Sequence, residues 1–408
     1  MTDAAVLALA TDPALPGRDT LLDAGAMAER LAPLLRAEGP LERCRRVLVR
    51  YDPGKRLAVL YGIRAGGAEH RVVASAYADE ARVPPGFAHD RELGAVLWTF
   101  PDDPRLGGLT SIADWSQTAG ALLGRGGVRA QLARYVPEHR AVARCVDPGG
   151  ATVAYAKVYR DGEGDRVARL QAALAGRLAG DPDLRIPRVL GFSRPRRLLV
   201  VEALDGQGLL AARGEALEDG LSRLGAGLAR LHGLGPASGT AWSFGVRLRR
   251  RLEAMASAVG RMRPDARDAA GDLARALGAL RPSAAEPLVL VHGDAALKNA
   301  VFDGRGVALV DLDDAKPGPA AADLGRVLSW IRAERVMGRL TDCDAQRLAG
   351  ALLAGYGELR EAPSPAALRW YTAATALQVR CRKAVTRLHP DYAGHLVALL
   401  RDAREALR

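Results

Sequence analysis

The residues of this chain best suited to chemistry lie between positions 292 and 314. His292-Gly293-Asp294 is followed five residues on by Asn299, and twelve residues later by Asp311 in Val310-Asp311-Leu312-Asp313-Asp314. A carboxylate that orients a hydroxyl and takes its proton, plus oxygen ligands for a hard cation, is a set that phosphoryl transfer requires. Asp294 and Asn299 share one loop, so the carboxylate can face an acceptor while the amide faces a metal. A hairpin after Asn299 returns Asp311 to the same ion from the other side. Mg2+ takes oxygen ligands, and Asn plus Asp supply them. The plainer alternative is a loop whose Asp and Asn cap turns, followed by an acidic hairpin.

The elements that must carry these residues begin with a repeat. Segments 23–35 and 111–123 read as amphipathic helices, and each precedes a strand pair, at 46–63 and 131–146. Both pairs contain Arg-Tyr-x-Pro-x-x-Arg: Arg50, Tyr51, Pro53 and Arg56 match Arg134, Tyr135, Pro137 and Arg140 at a constant offset of 84. A third strand follows at 70–80 and 152–163, then a linker helix, then an apolar edge strand at 95–103 and 197–206 that closes each copy. The alternation in Val153-Ala154-Tyr155-Ala156-Lys157-Val158-Tyr159 suits a sheet with one wet face. Four matched residues and one element order point to duplication rather than two unrelated hairpins.

Beyond 207 the texture becomes helical. Leu217, Leu221, Leu224, Leu228 and Leu231 form a stripe that ends in glycines near 235. Helical patterning resumes at 246–280, two short apolar strands are expected within 287–318, and the rest reads as helix. The domains expected are 1–110, 111–206 and 207–408.

The residues at 292–325 resemble the catalytic core of aminoglycoside phosphotransferase and choline-kinase-like enzymes, a branch of the protein-kinase-like fold. The shared pattern is His-Gly-Asp-x4-Asn, then a hydrophobic-Asp-x-Asp segment, then Pro317-Gly318-Pro319 and Asp323-Leu324-Gly325. The resemblance covers 111–408. It implies a bilobal α+β fold, with a sheet-and-helix N-lobe at 111–206 and a helical C-lobe at 207–408. Residues 1–110 would be a degenerate, N-lobe-like copy in front. It also implies ATP and Mg2+ as cofactors, bound between the lobes. Asp294 would be the catalytic base or orienting group, and Asn299 and Asp311 the metal ligands. His292 would brace the loop, and Asp323 would cap the next helix and brace the loop as well. Asp313 or Asp314 would reach a second Mg2+, or both are surface carboxylates.

Lys157, on the third strand, takes the place of the lysine that grips the nucleotide phosphates. The first copy has Ser75 there, two residues before its tyrosine. Glu202 and Leu204 lie in a hinge, 201–204, whose backbone would hold adenine. Lys298 is placed to touch the γ-phosphate or an anionic acceptor, or else is a solvated loop charge. Three features depart from the pattern. The loop Val136-Pro137-Glu138-His139 is not glycine-rich. Helix 165–178 has no glutamate to pair with Lys157, which leaves Glu163 to do so. Ala296 stands where many relatives carry His or a bulkier residue.

Composition narrows the classes. Apolar residues make up 49% of 408, enough for a packed core and too many for a disordered chain. No apolar run approaches the ~18 residues of a membrane span, and acids occupy the N-terminus where a signal peptide needs positive charge, so a cytoplasmic protein is expected. The four cysteines form no CxxC pair, which favours reduced thiols over a zinc site. Only five of the 58 basic residues are lysine, and the arginines are scattered beside acids, so nucleic acid is not an expected partner.

The expected function is an ATP- and Mg2+-dependent O-phosphotransferase acting on a hydroxyl of a small molecule, such as a sugar, an antibiotic or another natural product. The alternatives are a catalytically weak kinase-like binding module and a kinase acting on a macromolecule. The net charge of +11, with Arg380, Arg382, Lys383 and Arg387 in the C-terminal helices, favours a neutral or anionic acceptor over a polycation. The acceptor, its hydroxyl, the use of GTP, the oligomeric state and the role of the duplicated lobe stay open.

Overall fold

Alternating apolar strands shape the first third of the chain. In the computed structural model, which describes residues 9–160, 162–235, 246–280 and 287–408, two short helices open it, α1 (Arg18–Leu22) and α2 (Ala24–Leu31). They lead into a sheet of β1 (Leu41–Asp52), β2 (Arg56–Ala65), β3 (Ala68–Tyr77), β4 (Ala88–Asp90) and β5 (Ala95–Thr99), in the antiparallel order β1-β2-β3-β5-β4. Helix α3 (Ile112–Leu123) follows. Ser111 caps its N-terminus by accepting the Asp114 amide, and left-handed Gly124 ends it.

A second sheet is built from β6 (Arg129–Val136), β7 (Arg140–Val146) and β8 (Thr152–Tyr159). The chain then runs through α4 (Glu163–Arg177) and the short β9 (Leu184–Arg185) before completing this sheet with β10 (Val189–Ser193) and β11 (Leu198–Glu202), in the order β10-β11-β8-β7-β6. The two sheets therefore share one strand order, and the strands expected at the edges, β5 and β11, are interior, because the short β4 and β10 pair outside them. Ser75 lies opposite Ala58 and Val96, and Lys157 opposite Val142 and Leu199, the same place in each. The linker helix expected in the first copy is not formed. A single 3-10 turn, Glu80–Arg82, stands in its place. Pro84 and Pro85 explain this, since proline withholds an amide and the residue before it is pushed out of helical conformation.

Residues up to 168, with 189–203 and 385–390, form one compact unit, and the two sheets share its core. Val73, Val96 and Trp98 of the first pack in one cluster with Ala143, Ala156 and Val200 of the second. A polar seam crosses this core. The turn between β1 and β2 has Gly54 at φ 73°, and the matching turn between β6 and β7 has Glu138 at φ 58°. A side chain in this region is strained and persists where its surroundings hold it. Glu138 is almost fully buried and takes an ion pair from Arg56, 3.2 Å from Arg105 Nε, and a hydrogen bond from Tyr77 Oη at 2.7 Å. Its amide donates to Asp103 Oδ2 at 2.8 Å, which also accepts from Tyr135 Oη at 2.6 Å, and Arg50 donates to the Pro137 carbonyl. The first sheet thus grips the β6–β7 turn of the second. Glu138→Gln is expected to destabilise the protein by about 2 kcal/mol, the usual worth of a hydrogen bond to a charged group. Urea unfolding checks this, and an unchanged midpoint would show that the seam adds nothing.

The second unit comprises residues 169–188, 204–384 and 391–408. After β12 (Gln207–Gly208) comes α5 (Gly214–Gly233), whose leucine stripe is buried. Two further helices follow, α6 (Val246–Met262) and α7 (Arg267–Ala279). Where two strands are expected in 287–318 there are four: β13 (Leu288–Val291), β14 (Ala300–Phe302), β15 (Val307–Leu309) and β16 (Lys316–Pro319). The pairing of β13 with β16 is invisible locally because the two strands meet only across the whole intervening loop. Strands β12, β14, β15 and β9 make one sheet.

Helices α8 (Ala320–Val336), α9 (Asp342–Gly357) and α10 (Pro365–Thr375) come next. A π-helical stretch, Ala376–Cys381, joins α10 to α11 (Arg382–Thr386), and α12 (Pro390–Gly394) and α13 (Leu396–Glu405) end the chain. Thr341 and Asp344 form a capping box at the start of α9. Helices α5 and α9 cross closely enough that a Cβ on Gly225 or Gly355 would collide with the opposite backbone. No helix among the described residues is long and apolar enough to cross a membrane.

Candidate active site

Strand β13 is apolar because it runs through the interior of the second unit, and it delivers His292 to a buried position. The chain must then turn sharply. Gly293 does so at φ 78°, and a Cβ there would collide with the Asp314 carbonyl, so only glycine fits. A 3-10 turn, Leu297–Asn299, follows Asp294, and the β14–β15 hairpin carries the chain back. The Val310 amide donates to the Asn299 carbonyl at 2.9 Å, which sets Asp311 close in backbone to Asn299. Asp311 is held at φ 68°, a conformation non-glycine residues rarely adopt and which recurs at functional sites.

The loop is braced from two sides. His292 Nδ1 accepts the Asp294 amide at 3.3 Å, so Nε2 carries the proton and donates to the Val310 carbonyl at 3.1 Å. Asp323, 1% exposed, accepts the amides of His292 at 2.6 Å and Gly293 at 3.0 Å, and bonds His232 Nε2 at 3.1 Å. His232 in turn meets Tyr356 Oη at 3.0 Å. Burial alone would push the Asp323 carboxyl up, but the hydrogen bond with His232 and then that from the His292 amide hold it below the ordinary aspartate range. The expectation that Asp323 caps its helix is corrected. Pro319 occupies the cap position of α8, and Asp323 lies within the first turn, where its carboxylate reaches the loop instead.

Asp294, Lys298 and Asn299 come together. Asn299 Nδ2 donates to the Asp294 carbonyl at 2.9 Å and to its Oδ2 at 3.0 Å, and Lys298 Nζ reaches the same Oδ2 at 2.9 Å. With its nitrogen committed, Asn299 has Oδ1 left as an oxygen ligand, and this oxygen accepts from Lys298 Nζ at 3.4 Å. The other Asp294 oxygen, Oδ1, is ion-paired with Arg326 of α8. Burial raises the Asp294 carboxyl, but Arg326 and then Lys298 outweigh it, so the group is held below its usual range and ionised at neutral pH.

The remaining candidates are placed as follows. Lys157 is buried on the central strand β8 of the first unit. Glu202 ends β11 opposite Ala154, and Leu204 follows two residues later. The Glu163 carboxylate binds Arg160 at 2.7 Å. Asp313 and Asp314 lie on a 3-10 turn just after Asp311. Sequence reasoning misses Arg326, His232 and Tyr356. Two of these had a usable signal: His232 interrupts an apolar helix face, and Arg326 sits one helical turn after Asp323.

A family model described as the phosphotransferase enzyme family matches residues 138–371, more than half of the chain, and the chain belongs to that family. A search of curated protein sequences finds no match. Among solved structures, a spectinomycin phosphotransferase, determined with ADP and spectinomycin, superposes with a TM-score of 0.52 at 12% identity, over 73% of this chain and 99% of that one. This shows a shared fold, the mixed α+β fold of the kinase-like phosphotransferases. An aminoglycoside phosphotransferase from Streptomyces rimosus is 20% identical, with a TM-score of 0.45 over 64% of this chain and 98% of that one. A choline/ethanolamine kinase family protein from Mesorhizobium loti is 19% identical, with a TM-score of 0.44 over 72% and 98%.

Proposed function

We propose that this phosphotransferase is an ATP- and Mg2+-dependent kinase that phosphorylates a hydroxyl of a small, neutral or anionic molecule in the cytoplasm. The observation that carries the reading is the convergence of Asp294, Lys298 and Asn299 on one carboxylate oxygen, with Asp311 tied to Asn299 through the backbone. Asp294, ionised and fixed from both sides, orients the acceptor hydroxyl and receives its proton. Asn299 Oδ1 and the Asp311 carboxylate are hard oxygen donors that fit Mg2+, an ion that takes one or two protein ligands and completes its shell with phosphate and water. When bound there, Mg2+ would supply neutralising charge to the nucleotide phosphates. Lys157 and Lys298 bind phosphate oxygens, and the backbone at Glu202 and Leu204 holds adenine. Residues 1–110 act as a structural copy of the N-lobe at 111–206, lacking the lysine at Ser75 and binding no nucleotide.

The test is ADP release from Mg-ATP across a panel of hydroxylated compounds, with wild type, Asn299→Ala and Asp311→Ala. Wild type is expected to turn over with at least one acceptor. Each variant is expected to need more Mg2+ and to lose about 10²-fold in rate. Nucleotide binding without turnover on any acceptor would favour a kinase-like binding module. Variants with unchanged Mg2+ dependence would remove the metal assignment.

A further inference from the structure

The Oδ1 side of Asp294 opens onto an unusual concentration of positive charge. Arg326 pairs with that oxygen. Arg380 donates from Nη2 to the Arg326 carbonyl at 3.2 Å and hydrogen-bonds Tyr392. Lys383 Nζ stands 5.8 Å from the centre of the same Tyr392 ring. Lys298 completes the group from the Oδ2 side. Two cations thus hold the carboxylate directly, and two more, Arg380 and Lys383, stand behind Arg326 around Tyr392. Glu334 is the carboxylate that acts on Arg380, and its two oxygens are already bound by Arg339 at 2.6 and 2.9 Å.

This charge is costly to keep. Arg380 is 5% exposed, and the Nε atoms of Arg326 and Arg380 are both buried without a hydrogen-bond partner. A buried lysine can shed its proton, and Lys383 is pushed down to about 8 by burial and then by Arg380, Arg326 and Lys298. An arginine cannot do so, and its uncompensated charge weighs on the folded state. Arg380 also lies in the π-helical stretch Ala376–Cys381. Such bulges displace side chains from the ordinary helical register and occur mostly at functional sites.

We propose that Arg326, Arg380 and Lys383 form a seat for an oxyanion, a carboxylate or phosphate group, carried by the acceptor itself. The two oxygens of Asp294 separate the sides of the site. Lys298 and Asn299 gather at Oδ2, where metal and nucleotide phosphates belong, whereas Arg326 gathers at Oδ1, where the acceptor belongs. Planar guanidinium groups bind carboxylate and phosphate in fork geometry, and two guanidiniums whose Nε donors find no partner in the protein keep hydrogen-bonding capacity unspent on this side of Asp294. Assigning the seat to the acceptor rests on the kinase reading; the seat itself does not.

The experiment uses the full-length protein saturated with a non-hydrolysable ATP analogue and Mg2+. Calorimetry follows the binding of gluconate, glucose 6-phosphate and glucose. At least one of the two anions is expected to bind about tenfold or more tightly than glucose. Arg326→Gln and Lys383→Gln are each expected to weaken that anion about tenfold. Lys383 is half-buried, so its variant folds even where a change at Arg380 would not. Gluconate against glucose 6-phosphate separates carboxylate from phosphate. Glucose binding as tightly as the anions, no binding by any of the three, or anion binding untouched by Lys383→Gln would each overturn the seat. Anion binding that is seen in the nucleotide-free chain and lost in the analogue-saturated one would instead give the cations to the nucleotide and overturn the acceptor assignment, so absence of binding counts against the seat when it holds in both. If the analogue itself fails to bind, the kinase reading falls, and the same titration of the nucleotide-free chain still decides the seat.

Discussion

Asp294→Ala is expected to lower phosphoryl transfer by about 10²–10⁴-fold, the range for losing one positioned acid–base group. Nucleotide affinity is expected to hold, because Lys157 and residues 201–203 lie on a different unit from Asp294. The alanine change also strips Lys298 and Arg326 of their shared carboxylate, so part of the loss could come from a shifted loop. Asp294→Asn separates the two causes. It keeps an oxygen for Asn299 and the volume of the side chain, and removes only the charge and the basicity. Both variants are expected to lose transfer while unfolding near the wild-type temperature. Single-turnover transfer and nucleotide titration are the measurements. A rate within tenfold of wild type in either variant would remove Asp294 from the base or orienting role.

The largest effect on stability is expected at Asp323→Ala, about 3–5 kcal/mol. The carboxylate is fully buried and accepts from two backbone amides and His232, so its removal leaves three donors without a partner. Asp323→Asn fares little better, since its amide nitrogen would face donors. The sign with pH follows from the direction of the shift. The folded-state carboxyl is held below its unfolded value. Its contribution is therefore fully present above the unfolded value, near pH 4, and is lost as pH falls through the folded one. Wild type is expected to lose stability on acidification in this window, and Asp323→Asn to lose less. Urea unfolding from neutral to acid pH reads both. A difference under about 1 kcal/mol at neutral pH would mean that the loop is braced elsewhere.

The candidate loop was legible because its parts are close in sequence. Asp294 and Asn299 stand five residues apart and touch, and the chain enters their loop through Gly293, which the Asp314 carbonyl forces to be glycine. The duplicated strand pattern was legible for a similar reason. Alternation and the Arg-Tyr-x-Pro-x-x-Arg turns are local, and both sheets carry them into one strand order. The proline pair at 84–85 was also in view, and it should have ruled out the first linker helix.

Local patterns by themselves therefore determined the loop and the strands. Helix packing and sheet packing decided what surrounds them. Arg326 is 32 residues from the carboxylate it binds, and Asp323 is 91 from His232. Glu138 is held by Arg56 and Tyr77 of the other sheet, over contacts no turn propensity encodes. A charged side chain reads as a solvated surface group until a second element buries it, because the cost of that burial and the partner that offsets it both arise only on packing. This is why an apparently diffuse excess of arginine could be read as a property of the whole chain, and why only the tertiary structure gathers Arg380 and Lys383 behind the Arg326 that pairs with Asp294.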